Sequence, residues 1–189
     1  FQADLTESSQ IKSLAEEVIG KFEVVHALVN NAGFSTHFDF ENLPLEEWDR
    51  SLEIHLTVPF LLSQYFSPYM KKAGWGRIVN ISSLRAFTGS AHGPHYAAAK
   101  AGIIGLTKSL ALSLSPFGIT VNVVAPGYTR TDMTIPYLRE KETEIAKTIP
   151  LRRVAEPEEV AEVIAFLCSE RASYITGETI LVNGGIYMK

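Results

Sequence analysis

Four short runs of β-branched and aliphatic residues, Val24–Val29, Arg77–Ile81, Ile119–Val124 and Thr179–Val182, are separated by segments long enough to hold helices. Strands spaced this way cannot be joined by hairpins. They need crossover connections, which set neighbouring strands parallel and place helices on the faces of the sheet. The intervening segments read accordingly. Thr6 is placed to cap a helix that carries Ile11, Leu14, Ala15, Val18 and Ile19 at helical spacing and stops near Gly20. Pro44 suits the first turn of a long helix reaching about Met70, with an irregularity at Pro59. Pro94 to Leu114 and Pro157 to Leu167 supply two more helices. The expected fold is a doubly wound parallel α/β sheet, and one domain over residues 1–189. Ligands bind such sheets beyond the carboxyl ends of the strands, where Asn30 to Gly33, Ser82, Ser83 and the segment after Pro126 fall.

Composition narrows the partners. With 46% hydrophobic residues the chain can bury one sizeable core, and no linker-like stretch divides it. A net charge of −4, with basic residues scattered among acidic ones, argues against a nucleic-acid footprint and for a small molecule. Cys168 stands alone in an apolar run, which suits a buried inert thiol. No apolar stretch is read as reaching the roughly 18 residues that span a bilayer, and no signal segment opens the chain, so a cytoplasmic setting is expected. The first residues, Phe1 to Leu5, look like a strand already under way. A further N-terminal portion is expected to precede them.

The chemistry resides in a tyrosine and a lysine four residues apart, Tyr96 and Lys100, with Ser83 upstream. On a helix that spacing puts both side chains on one face. A nearby ammonium favours the phenolate, so Lys100 is expected to bring the phenol of Tyr96 below its free value near ~10 and make it a proton donor or acceptor. Ser83 would position the substrate oxygen. Tyr137 and Lys141 repeat the spacing in a charged segment without such a serine, and read as a solvated helix face.

Together with Asn30-Asn31-Ala32-Gly33, the string from Tyr96 to Gly102 resembles the short-chain dehydrogenase/reductase family, and the likeness runs from Asp4 to Gly185. The resemblance implies a Rossmann-like, NAD- or NADP-dependent oxidoreductase working on a carbonyl or alcohol. It implies that Asp4 and Leu5 contact the adenine, that Asn31, Ala32 and Gly33 lie against its ribose, and that Tyr96 and Lys100 reach the nicotinamide ribose. Pro126 and Gly127 would let the backbone approach the nicotinamide, with Thr129 and Thr131 on its carboxamide and the phosphates. The departure is at His55, where the family places a relay asparagine; an imidazole titrating near ~6.5 would make that relay pH-sensitive. No glycine-rich phosphate turn follows a strand: the Gly74-Trp75-Gly76 triplet precedes one. Within the family the chain is most similar to 3-oxoacyl-acyl-carrier-protein reductases, which implies an acidic carrier protein docking on Lys71 and Lys72, a lid between Arg130 and Pro150, and a homodimer or homotetramer. Sugar or polyol dehydrogenation, an epimerase or lyase, and a catalytically silent partner subunit are the alternatives.

Overall fold

The computed structural model describes residues 1–188, apart from the side chain of Ser8. Helix α1 (Ser8–Phe22) leads into strand β1 (Ala27–Asn30), followed by α2 (Leu45–Leu52) and α3 (Val58–Ala73). Strand β2 (Gly76–Ile81), the short α4 (Arg85–Thr88), α5 (Pro94–Leu114) and β3 (Ile119–Pro126) come next. Helices α6 (Ile135–Thr148) and α7 (Pro157–Leu167) precede the last strand, β4 (Thr179–Val182). All three strand pairings are parallel, in the order β1-β2-β3-β4, with Val29 opposite Val79 and Val124 opposite Ile180.

Consecutive residues of a strand point to opposite faces, and β2 divides the core this way. Ile78 joins Leu28 and Val121 beneath α1, α3 and α5, contributed by Ile11, Phe66, Met70 and Leu114. Val79 joins Val124 on the other face, covered by Val160 and Leu167 of α7. With both faces covered, β2 and β3 are buried almost without a break, including the polar residues Arg77, Asn80, Thr120 and Asn122. One polar thread crosses this interior. Asn30 Nδ2 donates to Asn80 Oδ1 at 2.7 Å, and Asn80 Nδ2 donates to Thr107 Oγ1 at 2.8 Å, tying β1, β2 and α5 together.

Several expectations need correction. Thr6 does not cap α1: its amide and hydroxyl both donate to Asp4 Oδ1, and Glu7 occupies the cap position without a side-chain bond. Residues 1–5 form no strand, and β1 starts only at Ala27. The irregularity expected near Pro59 in the helix from Pro44 to Met70 takes the form of a π turn at Glu53–Thr57, where the Val58 amide donates to the Glu53 carbonyl. Pro59 has no N–H to continue the α-helical ladder, so the turn before it widens. Residues Pro94–Phe117, contrary to the sequence reading, are long and apolar enough to cross a bilayer by length and composition. In the fold this segment lies against the sheet with His95, Lys100 and Thr107 buried. Cys168 is half-buried beyond α7, and burial pushes its thiol pKa up.

Replacing Asn80 by leucine would strand Asn30 and Thr107 in the core without their partner. A loss of about 2 to 6 kcal/mol in denaturant unfolding is expected, at about 1–3 kcal/mol for each orphaned group. An unchanged midpoint would mean that the thread contributes nothing.

Candidate active site

Strand β2 ends at Ile81 and the chain turns outward through Ser82 and Ser83. The N-terminal half of α5 is fastened to this point by two bonds of opposite sense: Ser82 Oγ donates to the Lys100 carbonyl at 2.6 Å, and Lys100 Nζ donates to the Ile81 carbonyl at 2.7 Å. Lys100 is 5% exposed, and burial brings its ammonium down to a pKa of about 8. Tyr96 lies one turn earlier, with the ammonium 5.6 Å from its ring centroid. Burial pushes the phenol above its ordinary value; the Ser83 hydroxyl opposes this first, and the Arg85 charge second. The expected acidification of Tyr96 by Lys100 is therefore not what this arrangement produces. The ammonium is turned to a backbone carbonyl, and loss of water outweighs the charges.

His55 sits in the π turn, 2% exposed. Its Nε2 donates to the Phe34 carbonyl at 2.8 Å, which leaves Nδ1 as the bare acceptor of a neutral imidazole, buried and without a partner among the described residues. The ring stands edge to face with Tyr96, centroids 5.1 Å apart at 88°. Gly33 must be glycine for this reason: a Cβ there would lie 2.2 Å from His55 Cε1. Burial first, then the Lys100 charge, lowers the His55 pKa to about 3. The pH-sensitive relay expected from an imidazole near ~6.5 is thus corrected, because this ring stays neutral through the physiological range.

Two adjoining cavities meet at Ser83 and Tyr96. The first, about 500 Å³, takes in His55, Lys100, Asn31, Gly33, Pro126, Gly127, Thr129 and Thr131 of the expected site residues. Its walls are apolar at Val29, Ile81 and Ile164, and its polar points include Asn31, Ser83, Tyr96, Lys100 and the threonine hydroxyls. A flat ring bearing an amide and ribose hydroxyls fits such a lining. Asp4, Leu5 and Ala32 do not line it: Asp4 is occupied by Thr6, and Leu5 packs on the first core. Gly127 has a packing reason besides close approach to a ligand, since a Cβ there would lie 2.9 Å from Asn183 Cα. Thr131 receives the amides of Thr134 and Ile135 on its carbonyl, at the start of α6.

The second cavity, about 380 Å³, is bounded by Arg85, His37, His92, Tyr128, Met133 and Tyr137. Tyr137 is half-exposed with Lys141 Nζ 5.1 Å from its ring, as a solvated face requires, yet it also borders this cavity. The sequence reading missed Arg85 and Tyr128. It also missed a chain from Glu47 through the Thr36 hydroxyl to His95, each link 3.0 Å, whose signal was a histidine beside Tyr96. Lys71 and Lys72 end α3, so they lie at the amino edge of the sheet, about 20 Å from the site by the length of β2. Lys71 rests there on Phe117, 4.5 Å from its ring centroid. Among the described residues no cluster of three or more His, Cys, Asp or Glu side chains could hold a metal.

A parallel α/β sheet with a serine, tyrosine and lysine gathered past its strand ends defines a dinucleotide-type oxidoreductase fold. The family model described as enoyl-(acyl carrier protein) reductase matches residues 1–187. A 3-oxoacyl-[acyl-carrier-protein] reductase of Aquifex aeolicus is 45% identical over 186 residues, covering 98% of this chain and 75% of the relative. The crystal structure of the TT0495 protein from Thermus thermophilus superimposes with a TM-score of 0.93 at 38% identity, over 98% of this chain and 79% of that one. YwfH, described as an NADPH-dependent reductase involved in bacilysin biosynthesis, superimposes with a TM-score of 0.96 at 27% identity, over 100% of this chain and 77% of that one. The chain belongs to the short-chain dehydrogenase/reductase family, a class of NAD(P)-dependent oxidoreductases.

The His55 assignment has a linkage consequence. The unfolded state takes up a proton near pH ~6.5 and the folded state only near 3, so between these values the unfolded chain binds more protons. Stability should therefore fall as pH drops from about 7 toward 3, by up to about 1.4 kcal/mol per pH unit from this residue alone. His55→Asn should remove that component, and histidine NMR should find the His55 ring neutral at pH 5. Protonation of His55 near pH 6.5 would contradict the burial argument.

Proposed function

We propose that this protein is a single-domain reductase that transfers a hydride from a nicotinamide cofactor to a carbonyl substrate, with Tyr96 as the proton donor. The observation that carries the reading is the buried phenol at the common wall of the two cavities, kept protonated by its surroundings and flanked by Ser83. A reduced nicotinamide in the first cavity would supply the hydride. The carbonyl oxygen would then lie between the Ser83 hydroxyl and the Tyr96 phenol, and the phenol proton would pass to it as negative charge develops. Lys100 holds positive charge behind the phenol while its bond to Ile81 fixes the helix register, and it would meet the nicotinamide ribose. His55 braces the ring of Tyr96 against Gly33 and Phe34. Thr129, Thr131, Asn31 and Gly33 are placed to hold the remainder of the cofactor, NAD or NADP.

A 3-oxoacyl thioester is the substrate class suggested by the name of the Aquifex relative. Docking of an acidic carrier protein on Lys71 and Lys72 gains no support from their place at the opposite edge of the sheet.

Tyr96→Phe should lower carbonyl reduction by roughly 10²- to 10⁴-fold without altering the circular dichroism spectrum. NADH and NADPH oxidation with a ketone and 3-oxoacyl panel reads this, and retained activity would remove Tyr96 from the proton path. The Lys100 ammonium is present below a pKa of about 8 and lost as pH rises through it. The free-enzyme kcat/KM for reduction should accordingly decline above about pH 8 in the wild type. A flat profile to pH 10 would show that the lysine charge does not matter to the step.

A further inference from the structure

The second cavity holds one full positive charge that neither the fold nor the cofactor site uses. Arg85 lies two residues after Ser83, at the start of α4, and its Nη2 donates to the Tyr128 hydroxyl at 2.9 Å. The guanidinium stands 5.8 Å from the Tyr128 ring centroid, so the ring holds the fork by both its hydroxyl and its face. Its Nε and Nη1 make no hydrogen bond among the described residues, and no carboxylate lies within ion-pair distance. The other residues bounding the cavity are neutral or histidine: the lining includes no aspartate or glutamate. His92, at the rim, is already engaged by Asp39 at 3.1 Å. Arg85 is also close enough to Tyr96 for its charge to act on the phenol.

Arginine presents a planar fork of donors matched to a carboxylate, and an unpaired one facing a cavity beside the reacting oxygen is a recognition element. We propose that Arg85, positioned by Tyr128, selects substrates that carry a carboxylate near the carbonyl to be reduced, so that the preferred substrate is a small oxo acid. A volume of about 380 Å³ suits such a molecule. This deepens the reductase reading and rests on it for the position of the carbonyl; the anion site itself requires only the cavity.

The test compares 3-oxobutanoate with its ethyl ester as substrates, and 3-hydroxybutanoate with its methyl ester as calorimetric ligands, for wild type, Arg85→Met and Arg85→Lys. The expected result is a kcat/KM preference for the acid of about 10- to 100-fold, from a charge-assisted pair. The acid ligand should bind more tightly than its ester by a similar factor. Arg85→Met should abolish both preferences, and Arg85→Lys should restore part of them. Equal binding of acid and ester to the wild type, or a preference that survives Arg85→Met, would overturn the proposal. Selective acid binding without turnover of any substrate would support the Arg85 site and count against the reductase reading instead. Reduction of the ester with no preference for the acid would do the reverse.

Discussion

An ammonium group buried at the end of a central strand is costly unless it is hydrogen-bonded, and the arrangement around Lys100 follows from that cost. Its bond to the Ile81 carbonyl, with the Ser82 hydroxyl bonded back to the Lys100 carbonyl, locks one turn of α5 onto the last residue of β2. A single backbone carbonyl does not replace a hydration shell, so burial brings the ammonium down to a pKa of about 8. Tyr96, one turn earlier on α5, inherits its position from the same lock.

The neighbours then divide the electrostatic work. A charged His55 beside Lys100 would add a second unsatisfied cation; the imidazole instead stays neutral, held at Nε2 by Phe34, and serves Tyr96 as an apolar brace. The phenol stays protonated for the complementary reason, since the ionised form would lose more solvation than Ser83 and Arg85 return. Burial thus fixes an acid, a cation and a neutral ring within one small volume. The two cavities flank this group and share Ser83, Tyr96, Pro126, Gly127, Met133 and Thr134 as their common wall, so the occupants of both would meet beside the phenol.

Much of this was legible in the amino acids, and the exceptions share a cause. Helices α5 and α7 and strand β4 begin and end where prolines and apolar runs place them, because those signals are local. Ser83, Tyr96, Lys100 and the residues after Pro126 meet in space because parallel strands deliver their carboxyl ends to one edge. What could not be read depends on burial and on pairings that only the folded chain makes. The direction of the Tyr96 and His55 shifts is set by burial, and the need for glycine at position 127 by Asn183, a residue of another strand's end. The irregularity expected at Pro59 is present, but as a π turn over Glu53–Thr57 before it, and Asp4 is held away from the site by Thr6. Arg85 was passed over because a single arginine in a turn carries no signal until the cavity around it is seen.

Desolvation, not the lysine charge, governs the phenol in the free protein. Carbon-13 NMR of ring-labelled tyrosine, titrated from pH 6 to 12 with Tyr96 assigned by difference, measures this directly. The Tyr96 signal should keep its phenol position beyond the ordinary tyrosine midpoint near pH ~10. A phenolate signal at or below pH 8 would contradict this and would return control of the proton to Lys100.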